Sequence, residues 1–261
     1  MPVTPNHALQ QLRAGKLAVG LGVRNARTVD IAQMLKTCGF DWLFVDCEHS
    51  SMDLDTAAQI SSASLAVGIT PVVRVPGLEH WHASRVLDNG AQGVVFPHIE
   101  DESQAQRAVN ACRFPPQGHR SMGGGLQQTG FAAMPVGETA RLVNAETLVV
   151  VMIESPRGVE NCEEIAAVPG VDALLVGTND LCFEIGIPGQ FNDPRVAEAY
   201  KKVIAACRKH GKFPGMGGMY TPELLERHVG MGVQLVLSGS DFSLVMQAGA
   251  ARATLVRGFE K

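Results

Sequence analysis

Leu148-Val149-Val150-Val151-Met152-Ile153-Glu154 is an unbroken apolar run that ends in a carboxylate, and Ala173-Leu174-Leu175-Val176-Gly177-Thr178-Asn179-Asp180 repeats the pattern further along the chain. Short runs of this kind, rich in β-branched residues and apolar on both faces, read as parallel strands covered by helices on either side. Each acid then stands where a buried strand meets solvent. Working outward, comparable runs at 17–22, 42–46, 71–75, 93–97, 213–217 and 234–238 bring the number of predicted strands to eight. Between them Ala105, Ala108, Val109 and Cys112 follow one helical face, as do Val196, Ala199, Tyr200, Val203 and Cys207. Thr221-Pro222 makes a good helix start, because proline at the first helical position gives up only an amide that had no partner.

Eight βα repeats with short connections predict an α/β protein, a single-domain (β/α)8 TIM barrel spanning residues 1–261. The alternative is an open doubly wound sheet. Against it, the first βα turn, Gly20-Leu21-Gly22-Val23-Arg24-Asn25, does not complete G-x-G-x-x-G, and no linker divides the chain. One segment departs from the repeat. Residues 113–135, RFPPQGHRSMGGGLQQTGFAAMP, are too long and glycine-rich for a simple connector and are expected to form a lid or binding segment.

A net charge of -4 over 261 residues offers no basic surface for nucleic acid and no polybasic membrane anchor, so small molecules or further copies of the chain are the expected partners. The N-terminal Met1-Pro2-Val3-Thr4-Pro5 lacks the regions of a signal peptide, and no apolar run approaches bilayer length, which makes a cytoplasmic location the expectation. The six cysteines form no C-x-x-C pair and read as reduced core residues, with Cys47 beside the predicted site and open to reactivity.

Barrel chemistry sits at the C-terminal strand ends. There the sequence places Asp46, Glu48 and His49 after the second strand, Arg74 in the third, His98 after the fourth, Glu154 and Asp180 after the fifth and sixth, and Asp241 after the eighth. Glu154 and Asp180 supply two hard oxygen ligands for a divalent cation such as Mg²⁺ or Mn²⁺, which takes few protein carboxylates and leaves positions for substrate. A helix N-cap is the plain alternative for Asp180, and it explains Glu154 less well. Arg74, inside Val72-Val73-Arg74-Val75, needs a buried carboxylate or a bound anion to be tolerated. His49 is either a hydrogen-bonded loop histidine or a base whose ring Asp46 orients. Imine chemistry needs a desolvated lysine on an inner strand position, and the seven lysines, at 16, 36, 201, 202, 209, 212 and 261, all lie elsewhere.

VDCEHSSMD from Val45, PVVRVP from Pro71, RFPPQGHR from Arg113, IESPRGVEN from Ile153 and VGTNDL from Val176 together resemble the HpcH/HpaI family of metal-dependent class II pyruvate aldolases. The resemblance implies a (β/α)8 barrel, usually a hexamer of dimers that exchange their last helix. It implies Mg²⁺, Mn²⁺ or Co²⁺ on Glu154 and Asp180, and reversible cleavage of a 4-hydroxy-2-oxo acid to pyruvate and an aldehyde through an enolate. It further implies that Arg74 steadies the enolate oxygen, that His49 paired with Asp46 works as acid and base through a water, and that main-chain amides around Asn179 and Asp180 receive the pyruvate carboxylate. The chain departs from the family pattern at Met152, where many members have Gln, and at Gly177-Thr178-Asn179, where a G-P-x-D-L turn is common. Both line the expected pocket and bear on the acceptor. No isolated residue reveals substrate length; Arg120, expected to bind substrate, and the loop after Arg113 are the place to look for it. Two rivals are a lyase for CoA thioesters of the citrate-lyase β or malyl-CoA type, for which the chain shows no basic, aromatic-lined cleft, and a catalytically silent barrel serving as sensor or scaffold, for which at least one of the four key side chains should be missing.

Overall fold

The structure, a computed structural model, describes residues 3–260. Eight strands, β1 (Ala18–Val23), β2 (Trp42–Asp46), β3 (Thr70–Arg74), β4 (Gly93–Phe96), β5 (Leu148–Ile153), β6 (Ala173–Gly177), β7 (Phe213–Gly217) and β8 (Leu235–Ser240), pair in sequence order and close into an all-parallel barrel. The predicted strands match these to within two residues at each end, and helices fill the intervals. The fold is therefore the TIM barrel read from the alternating runs.

Side chains that alternate along the strands build two separate cores, as the period of two requires. Outward-facing Val45, Val73, Val94, Val151 and Leu174 pack against the helical shell, while inward-facing Phe44, Val72, Val95, Val150 and Leu175 fill the barrel. The inner core extends to Ala8, Leu9 and Leu12 of the short helix His7–Arg13, which lies across the N-terminal strand ends. Asn6 fastens it there: its Oδ1 accepts from Leu9 N at 3.0 Å, and its Nδ2 donates to the carbonyls of Gln92 and Glu146 at 3.0 Å each.

The long segment after Arg113 belongs to that same lower end and not to a lid. The Arg113 guanidinium donates to Asp172 at 2.6 Å and to the carbonyl of Asn144, and the Gln128 amide donates to the carbonyls of Leu87 and Ala91 at 2.6 and 2.8 Å. All four partners lie just before strands or in the helices leading to them. The segment's length serves to satisfy buried main-chain groups at the barrel's base. Among the described residues, no helix is long and apolar enough to cross a membrane.

Candidate active site

At the C-terminal strand ends the barrel opens into a cavity of about 250 Å³. Arg24, Asp46, His49 and Arg74 line it from the first three strands, and Met152, Gly177, Asn179 and Asp180 from the fifth and sixth.

Asp46 and Arg74 are register partners at the ends of β2 and β3, so their side chains emerge side by side. Arg74 donates through Nε to Asp46 Oδ1 at 3.0 Å and through Nη2 to Oδ2 at 2.7 Å. Its Nη1 lies 2.9 Å from Glu48 Oε2, and the guanidinium stands over the Phe44 ring at 5.1 Å. Burial works against the charge on Arg74, but Asp46 and Glu48 outweigh it and its pKa rises. Burial likewise pushes Asp46 up, yet Arg74 and the main-chain amides of His49 and Glu48 hold its carboxyl below the usual range.

The ring-orienting pair of Asp46 and His49 is not formed. Asp46 accepts the main-chain N–H groups of Glu48 and His49, each at 3.1 Å, because the chain turns tightly after β2 and the carboxylate caps that turn. The His49 ring, half exposed, faces Glu48 with Nε2 3.7 Å from Oε2.

Glu154 is 2% exposed. Its Oε1 accepts the main-chain N–H of His98 at 2.7 Å and lies 3.2 Å from the ring Nδ1, while the buried Oε2 has no hydrogen-bond partner. His98 adopts a left-handed backbone, φ 53°, which folds its ring back so that Nε2 lies 3.5 Å from Glu48 Oε1. The histidine that reads as a strand terminator thus bridges two site carboxylates. Burial raises the Glu154 pKa, His98 opposes the rise, and the negative charges of Asp180 and Glu48 add to it. A desolvated carboxylate oxygen left without a donor calls for a cation. Asp180 enters from the first turn of the helix Thr178–Glu184. At Gly177 a Cβ would collide with the Glu154 carboxylate and come within 3.0 Å of Met152 Cε, so only glycine leaves this cradle open. Among the described residues no cluster of three or more His, Cys, Asp or Glu is arranged to hold a metal. Two acids are what a Mg²⁺ or Mn²⁺ site shared with water or substrate requires, and the donor set fits such an ion.

Other predicted residues are placed differently. The Thr178 hydroxyl is buried between Tyr200 Oη and the Gly217 carbonyl, 2.8 Å from each, so Thr178 fixes β6 to β7 and offers the cavity only its main chain. Met152 lies with its sulfur 4.0 Å from Arg74 Nη1. Arg120 is absent from the cavity: its guanidinium is buried, paired with Asp88 at 2.6 Å and stacked on Phe114 at 4.4 Å, on the outer wall of the barrel. Burial pushes the Cys47 thiol up to about 11, which disfavours the thiolate at neutral pH. Asp241 takes no part in the cavity. Its carboxylate accepts the main-chain N–H groups of Arg24, Asn25 and Ala26 at 3.0, 2.9 and 2.7 Å. Arg24, Tyr220 and Phe242 line the cavity without having been singled out from sequence. Arg24 directly follows β1, and the strand-end rule applied to that strand finds it.

Known proteins resemble this chain over its whole length. A 4-hydroxy-4-methyl-2-oxoglutarate aldolase of Chaetomium globosum is 39% identical, over 98% of this chain and 97% of its own length. A hydroxypyruvate/pyruvate aldolase of Roseobacter denitrificans is 31% identical over 97% of this chain and 98% of its own. The crystal structure of an HpcH/HpaI aldolase from Desulfitobacterium hafniense superposes with a TM-score of 0.92 at 29% identity, covering 97% of each chain. The sequence model of the HpcH/HpaI aldolase/citrate lyase family matches residues 18–248, and the chain belongs to that family.

Proposed function

We propose that the chain is a cytoplasmic, divalent-metal-dependent pyruvate aldolase, a carbon–carbon lyase that reversibly cleaves a 4-hydroxy-2-oxo acid between C3 and C4 into pyruvate and a carbonyl fragment. The observation that carries the reading is the buried Glu154 with an oxygen that no donor meets, set against Gly177 and near enough to Asp180 and Arg74 for each charge to act on the other. Glu154 and Asp180 would hold the ion, Mg²⁺, Mn²⁺ or Co²⁺. Such an ion, when bound, supplies Lewis-acid polarisation of the 2-oxo group and counter-charge for an enolate.

The chain's own residues do the rest. Main-chain groups of Gly177, Thr178 and Asn179 seat the oxo acid's carboxylate, and Met152 packs beside it. Arg74, fixed by Asp46 and Glu48, presents a preorganised cation to the developing enolate oxygen. His49, turned toward Glu48, removes the C4 hydroxyl proton directly or through one water and returns it to C3. A cavity of about 250 Å³ suits a small acid and not a CoA thioester. None of the side chains that a silent barrel would lack is missing.

The last helix, Asp241–Arg257, has no buried residue, and Phe242, Val245, Met246, Leu255 and Val256 are exposed. We read it as exchanged between copies of the chain in a hexamer of dimers. The test of function follows pyruvate release from a panel of 4-hydroxy-2-oxo acids, with EDTA and then Mn²⁺ added. Release that EDTA stops and Mn²⁺ restores supports the reading, and no release from any acid refutes it.

A further inference from the structure

We infer that Arg24 is a specificity-determining residue that receives a second carboxylate, so that the preferred substrates are dicarboxylic: 4-hydroxy-2-oxo acids carrying a carboxylate on C4. The inference rests on the aldolase reading and deepens it.

Two arginines line the cavity. Arg74 is tied to protein carboxylates through all three of its nitrogens, Nε and Nη2 to Asp46 and Nη1 to Glu48, and its remaining N–H groups serve the enolate oxygen. Arg24 is not so tied. Its Nη2 donates to the carbonyl of His49 at 2.8 Å and its Nε lies 3.4 Å from Asp46 Oδ2, while Nη1 makes no hydrogen bond among the described residues. The side chain is 41% exposed and lines the cavity at its mouth. Nor is Arg24 a loose surface residue. The three amides that Asp241 accepts include its own N–H, and they pin the loop after β1 to the start of the last helix. A guanidinium held on two edges and free on the third is prepared for a carboxylate.

Its position sets what that carboxylate belongs to. In the closed ring β1 lies four strands from β5, so Arg24 stands across the mouth from Glu154. A 2-oxo acid whose C1 and C2 oxygens lie at the Glu154 and Asp180 side directs its far end toward Arg24. His49, whose carbonyl Arg24 binds, stands between them beside the C4 hydroxyl. Loss of that hydroxyl proton to His49 lets the C3–C4 bonding pair pass into the C2–C3 bond as an enolate. C4 becomes the keto carbon of a departing 2-oxo acid, and the proton delivered to C3 completes pyruvate. No oxidant or reductant is consumed. The second product is thus a 2-oxo acid.

The test compares a matched pair of substrates in the Mn²⁺-loaded protein, 4-hydroxy-4-methyl-2-oxoglutarate and 4-hydroxy-4-methyl-2-oxopentanoate, in which methyl replaces the distal carboxylate. The natural chain should favour the diacid by roughly 10- to 100-fold in kcat/KM, the range of one charge-assisted contact. Arg24→Met should collapse that ratio toward one, chiefly through KM, and Arg24→Lys should restore part of it. A natural chain without preference, or an Arg24→Met variant that loses both substrates in equal proportion, overturns the assignment. Calorimetry with 2-oxoglutarate and 2-oxopentanoate, which cannot be cleaved, separates this from the aldolase reading. If the natural chain releases pyruvate from neither substrate nor from any other acid of the panel, that reading falls, and the Arg24 assignment then stands or falls on whether 2-oxoglutarate binds more tightly and Arg24→Met removes the difference.

Discussion

Replacing Asp46 by Asn should separate the two jobs of this carboxylate, because the amide still accepts the turn's N–H groups while losing its charge toward Arg74. Asp46 is 1% exposed and Arg74 8%, and they share hydrogen bonds of 3.0 and 2.7 Å, so the pair is buried and bidentate. Removing one member of a buried pair costs about 3–5 kcal/mol. Glu48 remains 2.9 Å from Nη1, which places the expected loss near the lower end, about 3 kcal/mol. For a chain of this size that is a fall of roughly 6–12 °C in Tm. Urea denaturation of the metal-free protein measures the loss directly, at several pH values. Asp46 has a folded pKa below its unfolded one, so its contribution is complete above the unfolded pKa and fades as pH falls through the folded one. The gap between the natural protein and the Asp46→Asn variant should therefore be level at neutral pH and close in acid. The double change Asp46→Asn with Arg74→Met should recover part of the loss by removing the stranded cation. A single-variant loss under about 0.5 kcal/mol, the range of an ordinary surface change, would refute the claim that this pair is desolvated and mutually dependent.

Arg74→Ala should lower turnover by about 10²–10³-fold, as loss of an oxyanion donor does, while the Mn²⁺ dissociation constant moves far less; near-normal turnover removes Arg74 from the chemistry. Glu154→Gln should abolish stabilisation by Mn²⁺, which in the natural chain reaches about 2.7 kcal/mol at a hundred times the dissociation constant. Because burial raises the Glu154 pKa above its unfolded value, the metal-free natural chain should lose stability as pH rises through that folded value, and the Glu154→Gln variant should not; matching pH profiles contradict this. Phe242→Glu with Val245→Glu on the unburied last helix should shift the sedimentation mass of the assembly downward, and an unchanged mass rejects helix exchange as its basis.

The barrel was legible because each strand is a compact run apolar on both faces, which only a covered parallel sheet tolerates. Arg74 and Glu154 stood out in the sequence for the complementary reason, that one breaks such a run and the other directly ends it, while Asp180 and His49 each follow a strand end by three residues. What escaped was set by geometry across the strands. Asp46 belongs with Arg74 and not with the His49 ring because β2 and β3 lie in register, a relation between residues far apart in the chain that local spacing hides. His98 enters the site only through a left-handed backbone that its Pro97-His98 context does not announce. Residues 113–135 signalled importance by length and glycine content, but their buried main-chain groups are satisfied at the base of the barrel, and Arg120 goes with them.

The short helix His7–Arg13, tied down by Asn6, covers the N-terminal end of a barrel whose interior is filled by side chains, so the cavity at the C-terminal strand ends is a cul-de-sac with its doorway at the mouth. Reactant and both fragments must share that passage, so the fragment seated deeper cannot depart until the outer one has cleared the threshold. Ordered release, with pyruvate leaving last and competing with the incoming acid, is the kinetic signature that such a dead end imposes.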